Sequence, residues 1–399
     1  MRDSRPYVAG LVAALVGFTS SFAVVLAGLV AVGASTDQAA SGLLALCVVQ
    51  GLGMLVLALR HRQPLTLAWS TPGAALLAST GQVDGGWAAA VGGFGVCGLL
   101  VLLTALWPAL GGLVARVPVP VAQAMLAGVV LPLCLAPVRS LEQDAWPVVP
   151  VLAAWLVLVL ASPRWAAPGA LVAALVVAVA SGPDAALVVA PDLAWTTPVL
   201  TVGGVVGVAL PLFVVTMASQ NVPGVAVMRA HGYDVPWRPA MLTTGLGTVA
   251  AAPFGGHAVN LAAISAALAA GTDAGPDPSR RWRAALSAGG AYLVLAVVSA
   301  SLVALVTSAP AGVVQAAAGL ALVPVLGSAL AAATSDPASR EAAVVTFVVA
   351  ASGTALAGVG AAFWSLVAGV AVHLLVRART LREARRAQPS HDGGPPTDT

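Results

Sequence analysis

Two stretches carry the residue types that hold an anion inside a membrane. The first runs Pro64-Leu65-Thr66-Leu67-Ala68-Trp69-Ser70-Thr71-Pro72-Gly73-Ala74-Ala75-Leu76-Leu77. The second runs Ala252-Pro253-Phe254-Gly255-Gly256-His257-Ala258-Val259-Asn260-Leu261-Ala262-Ala263-Ile264. Each opens on residues that break a helix and closes on apolar residues that form one. In the first, Thr71 is the expected N-cap, with Pro72 at N1, where its missing N–H costs nothing. In the second, Gly255 and Gly256 release the backbone, and a helix is expected from His257 or Ala258. Helices that start in mid-membrane present free N–H groups and positive dipole ends, which suit an anion. Interrupted segments at matching places in two halves also point to a transporter's binding site. Re-entrant loops with a structural role only are the other reading.

The polar residues near these breaks are neutral: Thr19, Ser20 and Ser21; Ser70 and Thr71; Ser219, Gln220 and Asn221; His257 and Asn260. No acidic residue falls near the centre of a span. His257 reads either as a substrate or proton group or as a hydrogen-bonded core residue. Gln220 and Asn221 either line the site or tie helices together. Pro223 and Gly224 beside them suggest an opening in that helix. Phe18, Phe22, Trp69, Phe213 and Phe254 lie near the polar groups in sequence, where they would stack on a flat substrate or simply pack. Cys47, Cys97 and Cys134 sit in apolar runs as small hydrophobes, so no metal or other cofactor is expected. There is no HExxH motif, no intramembrane carboxylate pair and no Ser/His/Asp set, so no enzyme is expected.

The elements that position these residues must be membrane helices. Of 399 residues, 59% are hydrophobic and 8% charged, about a third of the charge of a soluble domain. That leaves too little polar surface for a soluble enzyme, a disordered chain or a nucleic-acid binder. Breaks in hydrophobicity give spans at 8–32, 41–59, 64–80, 86–114, 118–136, 146–161 and 166–181. A second set follows at 197–228, 237–251, 253–270, 282–308, 311–333, 341–356 and 360–377. The run from Val8 is too long for a signal-peptide core and reads as the first span. With the N-terminus in the cytoplasm and every segment crossing, 17 of the 18 arginines fall inside and only Arg139 outside. The positive-inside rule asks for that pattern. Asp37, Asp84, Glu142, Asp144, Asp184 and Asp192 fall in external loops. Seven plus seven spans make an odd-numbered repeat, so the second copy must be inverted. Trp87, Trp107, Trp146, Trp165, Trp195, Trp237 and Trp282 are expected at span ends, as an interfacial belt.

Ser219-Gln220-Asn221-Val222-Pro223-Gly224-Val225-Ala226-Val227-Met228-Arg229, running on to His231-Gly232-Tyr233, resembles a signature of the benzoate:proton symporter family (BenE type). The Pro253–Ile264 stretch and Trp69-Ser70-Thr71-Pro72-Gly73-Ala74 resemble that family too. The family is similar in fold to the nucleobase–ascorbate transporters. The resemblance implies an all-α polytopic membrane protein of fourteen segments, a 7+7 inverted repeat with half-helices at segments 3 and 10. It implies a core domain at 1–115 and 196–308 and a gate domain at 116–195 and 309–378. The tail after Arg377, basic and then rich in Pro, Gly and Asp, reads by composition as a short cytosolic helix followed by disorder, with the cytoplasmic tail at 379–399. The resemblance also implies import of benzoate or a related aromatic carboxylate by proton symport across a bacterial inner membrane, both termini cytoplasmic, with a homodimer by analogy. The expected substrate contacts are Phe18, Ser20, Trp69, Ser70, Thr71, Ser219, Gln220, Asn221, Phe254, His257 and Asn260. The proton would ride on His257 or on the substrate carboxylate. Proton-coupled nucleobase carriers of this fold place carboxylates in the eighth and tenth segments, and this sequence does not. An inorganic-anion exchanger and a nucleobase-type symporter remain the alternatives.

Overall fold

A computed structural model describes residues 4–107, 117–182, 190–356 and 359–387. The expectations for Arg2, Arg116, Asp184 and the tail from residue 388 lie outside the described residues. The first half holds α1 (Arg5–Ala31), α2 (Thr36–His61), β1 (Leu67–Trp69), α3 (Thr71–Thr80), α4 (Gly86–Leu106), α5 (Val119–Gln143), α6 (Ala145–Ala161) and α7 (Ala166–Ala180). The second holds α8 (Gly203–Ala230), α9 (Trp237–Ala251), β2 (Val259–Leu261), α10 (Ile264–Ala270), α11 (Trp282–Thr307), α12 (Val313–Thr334), α13 (Arg340–Ala351) and α14 (Ala361–Ala387). Nine of the helices among the described residues are long and apolar enough to cross a membrane. The chain is a multi-pass helical membrane protein.

Local chemistry sets the ends. Ser35 caps α2 in a capping box with Gln38. Gly85, in the left-handed region at φ 94°, precedes α4. Pro132 and Pro137 lie inside α5, and Pro324 inside α12, as neighbouring helices in a membrane permit.

Three boundaries depart from the sequence reading. Residues 190–201 are extended and only then does α8 begin; the Val199 N–H donates to the Ala88 carbonyl and the Thr196 N–H to that of Pro253. The helix expected from His257 begins at Ile264, because residues 259–261 pair as a strand. α13 ends at Ala351, before Gly353 in the left-handed region. The short cytosolic helix expected after Arg377 is present as an unbroken continuation of α14 to Ala387. α8 also carries two π-helical stretches, Gly203–Ala209 and Met217–Asn221. One belt tryptophan is misassigned as well. Trp87 is buried, donating from Nε1 to Thr196 Oγ1 at 3.0 Å and meeting Phe94 edge-on.

The helices pack in two groups. α2 lies on α11, α4 on α9, and α1 on both α3 and α11; α5 lies on α12 and α13, α6 on α7, and α13 on α14. α1 also reaches α7 and α12 at the border between the groups. Small residues set the approach inside the first group, as they do in membrane interfaces generally. Gly51 and Gly289 face each other where α2 crosses α11. A Cβ on Gly51 would stand 2.9 Å from the Gly289 carbonyl oxygen, and one on Gly289 would stand 2.8 Å from that of Gly51.

Gly289→Val should force these helices apart at a backbone contact that cannot yield. Overpacking of this kind costs about 1–3 kcal/mol, read as a lowered thermal midpoint of the detergent-solubilised protein. Gly290→Val, one residue away and facing open space, should lower it far less.

Candidate functional site

The two interrupted segments meet. β1 and β2 pair antiparallel, with Leu67 opposite Leu261, Ala68 opposite Asn260 and Trp69 opposite Val259. Two bonds extend the ladder, from the Ser70 N–H to the Ala258 carbonyl (2.9 Å) and from the Ala262 N–H to that of Thr66 (3.0 Å). A half-helix leaves each strand, α3 from β1 and α10 from β2.

Ser70, not Thr71, is the N-cap of α3. Its Oγ accepts the Gly73 N–H at 3.1 Å and the Thr216 hydroxyl of α8 at 2.9 Å. The β-region backbone that Ser70 keeps from the ladder is the geometry a cap requires, and Thr71 then occupies the first helical position. Asn221 ties α8 to the other strand. Its Oδ1 accepts the Leu261 N–H at 2.9 Å, and its Nδ2 donates to Met217 Sδ at 3.2 Å. The π-helical turn at Met217–Asn221 carries Ser219, Gln220 and Asn221; such turns recur at functional sites.

At the far end of α10 the buried Arg281 donates from Nε to the Gly275 carbonyl (2.9 Å) and from Nη1 to that of Ala270 (2.7 Å). A cation on the Ala270 carbonyl, the last of α10, complements the helix terminus. In the loop before it, the hydroxyl and N–H of Ser279 bond to the Asp277 carboxylate and hold its pKa below the ordinary carboxylate range.

A cavity of about 60 Å³ opens between α1, α8 and the two half-helix starts. Of the eleven expected contacts, Ser20, Trp69, Thr71 and Gln220 line it. The others do not. Ser70 and Asn221 are used up in holding the backbone. Phe18 is buried behind Trp69, with ring centroids 5.5 Å apart. Phe254 lies outside the lining, packed edge-on against Trp195 at 5.4 Å. His257 and Asn260 are fully buried away from the lining; both ring nitrogens of His257, Oδ1 of Asn260 and Oγ of Ser219 have no partner among the described residues. Phe94 meets the His257 ring edge-on at 6.4 Å.

Ala262, Ala263, Ile264 and Ser265 form a wall that sequence reasoning missed. The signal for it would have been the strand pairing, since two more extended residues move the helix start onto them. The N–H groups of Thr71, Ala263, Ile264 and Ser265 have no hydrogen-bond partner among the described residues. Trp69 supplies an aromatic side, fixed by a 2.7 Å bond from Nε1 to Ser21 Oγ and by the edge of Tyr292 at 6.0 Å. The lining contains no carboxylate.

A polytopic helical bundle that brings two broken segments together at an internal cavity is a membrane transporter in architecture. The sequence profile of the benzoate membrane transport protein family, BenE, matches residues 4–375, and the chain belongs to that family. It is 38% identical over 365 residues to the inner membrane protein YdcO of Escherichia coli, covering 91% of this chain and 93% of that one. It is 26% identical over 381 residues to the benzoate membrane transport protein of Acinetobacter baylyi, covering 92% and 94%. Among solved structures, the transmembrane domain of the cyanobacterial bicarbonate transporter BicA superposes with a TM-score of 0.60 at 18% identity, covering 92% of this chain and 97% of that one. SLC26A9 superposes at 0.61 and 15% identity; the match covers 94% of this chain but 65% of that longer one. The chain shares their fold. Its family is one of transporters and not of enzymes.

Asn221→Ala should leave the Leu261 N–H unpaired in the interior, a loss of about 1–3 kcal/mol. Ser70→Ala should cost about 1 kcal/mol as a lost cap. Both should lower the thermal midpoint, whereas Gln220→Ala, which removes no bond seen here, should leave it in place.

Proposed function

We propose that the protein imports benzoate or a related aromatic carboxylate together with a proton. The observation that carries this reading is the convergence of unpaired backbone N–H groups from both half-helix starts on one cavity that has an indole wall and no carboxylate. The carboxylate sits against the N–H groups of Thr71 and Ala263–Ser265, with the side chains of Ser20, Thr71, Gln220 and Ser265 in reach. α3 adds its dipole end; α10, seven residues long, contributes N–H groups more than a dipole. The ring lies toward Trp69 and the apolar residues of α1.

The fold supports a 7+7 inverted repeat. Pairing each helix with the one seven places later turns the α2–α11 contact into the α9–α4 contact, and α1–α3 into α8–α10; all four are present. An antiparallel β1–β2 pair is what inversion asks of two equivalent strands. In this reading α1–α4 and α8–α11 form the core and the other helices the gate, with both termini cytoplasmic. A cavity of about 150 Å³ takes benzene, so a space of about 60 Å³ admits the ring only when core and gate part. Moving one negative charge into a cell at about −100 mV costs about 2.3 kcal/mol. One co-transported proton removes that cost and couples uptake to the pH gradient.

A small inorganic anion is the second reading, favoured by the size of the closed cavity. Competition of bicarbonate and sulfate against labelled benzoate separates the two.

Labelled benzoate should accumulate in proteoliposomes under an inward proton gradient, and its failure to do so overturns the proposal. Thr71→Val and Gln220→Ala should each raise KM about tenfold, as loss of a hydrogen bond to a charged group does. Under His257→Gln, loss of pH-driven accumulation with exchange retained assigns the proton to His257. Undiminished accumulation assigns it to the substrate carboxylate.

A further inference from the structure

A second cavity, of about 280 Å³, adjoins the first on the side of the α1 N-terminus, with Val8, Val12, Arg164, Trp165, Leu268 and Asp273 in its lining. Leu268 lines both cavities, and α1 supplies Val8 and Val12 to one and Val16 and Ser20 to the other. Those four residues recur at helical spacing, so they form one stripe. Arg164 and Trp165 come from the turn between α6 and α7, in the other helix group.

The Arg164 guanidinium is exposed and makes no ion pair or hydrogen bond among the described residues. Asp273, on the α10–α11 connection, faces the same cavity and is likewise without an ion-pair partner there. A guanidinium beside an indole, over aliphatic side chains, fits a flat anion. The fork takes the carboxylate, and the indole and valines take the ring.

We propose that Arg164 and Trp165 form a second, weaker aromatic-carboxylate site, a station between the central cavity and the aqueous phase on the N-terminal side. The naming of the ligand rests on the functional reading above. Asp273 lines the same cavity, and its negative charge repels a bound carboxylate, so the anion is not retained there.

Two measurements test this with labelled benzoate. The first is equilibrium binding to the purified protein in detergent. The wild type should show a tight and a weak site. Arg164→Gln and Trp165→Ala should remove the weak one only, and Asp273→Asn should tighten it. The second is counterflow in right-side-out and inverted membrane vesicles. Arg164→Gln should raise KM about fivefold, the scale of an exposed ion pair, for benzoate presented on the N-terminal face and not on the opposite face. Asp273→Asn should lower KM on that same face.

A single binding site in the wild type overturns the station, as does an Arg164→Gln effect that is equal on both faces or absent. An anionic lipid headgroup shares the ligand chemistry. A weak site that disappears when phosphatidylglycerol is added to the detergent, and an asymmetry lost in phosphatidylcholine proteoliposomes, would assign the cavity to lipid instead. Arg164-dependent benzoate binding without transport would keep the station and overturn the proposed function; transport without the weak site would do the reverse.

Discussion

Everything at the centre of this protein follows from the need to pair backbone N–H and C=O groups where there is no water to do so. Two chain segments leave helical geometry in the interior, and each exposes a row of polar groups that would cost several kcal/mol apiece if left unpaired. They meet that demand in each other. The β1–β2 ladder, extended by the Ser70 and Ala262 bonds, satisfies the extended stretches, and the Ser70 and Asn221 side chains satisfy the ends. What remains is a short set of N–H groups at the helix starts, gathered on one cavity. The same demand therefore closes the scaffold and leaves open the part proposed to meet an anion.

The division of labour among polar side chains follows from this. Adjacent residues do different things: Ser70 holds backbone while Thr71 faces the cavity, and Asn221 holds backbone while Gln220 faces the cavity. The cavity lining carries no charged side chain. The backbone starts of α3 and α10 border it instead, and the buried Arg281 caps the last carbonyl of α10, Ala270, at that helix's other end.

Much of the helical architecture was legible in the sequence because long hydrophobic runs report directly on the bilayer. The two Pro/Gly-broken stretches and the Ser-Gln-Asn run marked the region of the cavity. The sequence did not show which members of that region face the cavity. Orientation depends on the strand register and on the π-helical turn, and both are tertiary outcomes. Thr71 was expected as a cap because it precedes Pro72. Ser70 takes that role because the ladder holds it in extended geometry. His257 looked central from its neighbours in the chain, yet the strand that follows it carries the helix start onward to Ile264. Trp87 and Phe254 illustrate the same limit, since each is claimed by a partner more than fifty residues away, Thr196 and Trp195.

The β1–β2 ladder also bears on biosynthesis. Leu67 and its partner Leu261 are 194 residues apart, and chains grow at roughly 5–20 residues per second. For roughly 10–40 s, on that rate, the first interrupted segment is made and has no strand to pair with. Its exposed backbone must be held by water, by the insertion machinery or by a provisional helix across residues 67–69. Completion of the site is thus a late event, and its timing is set by translation of the second half.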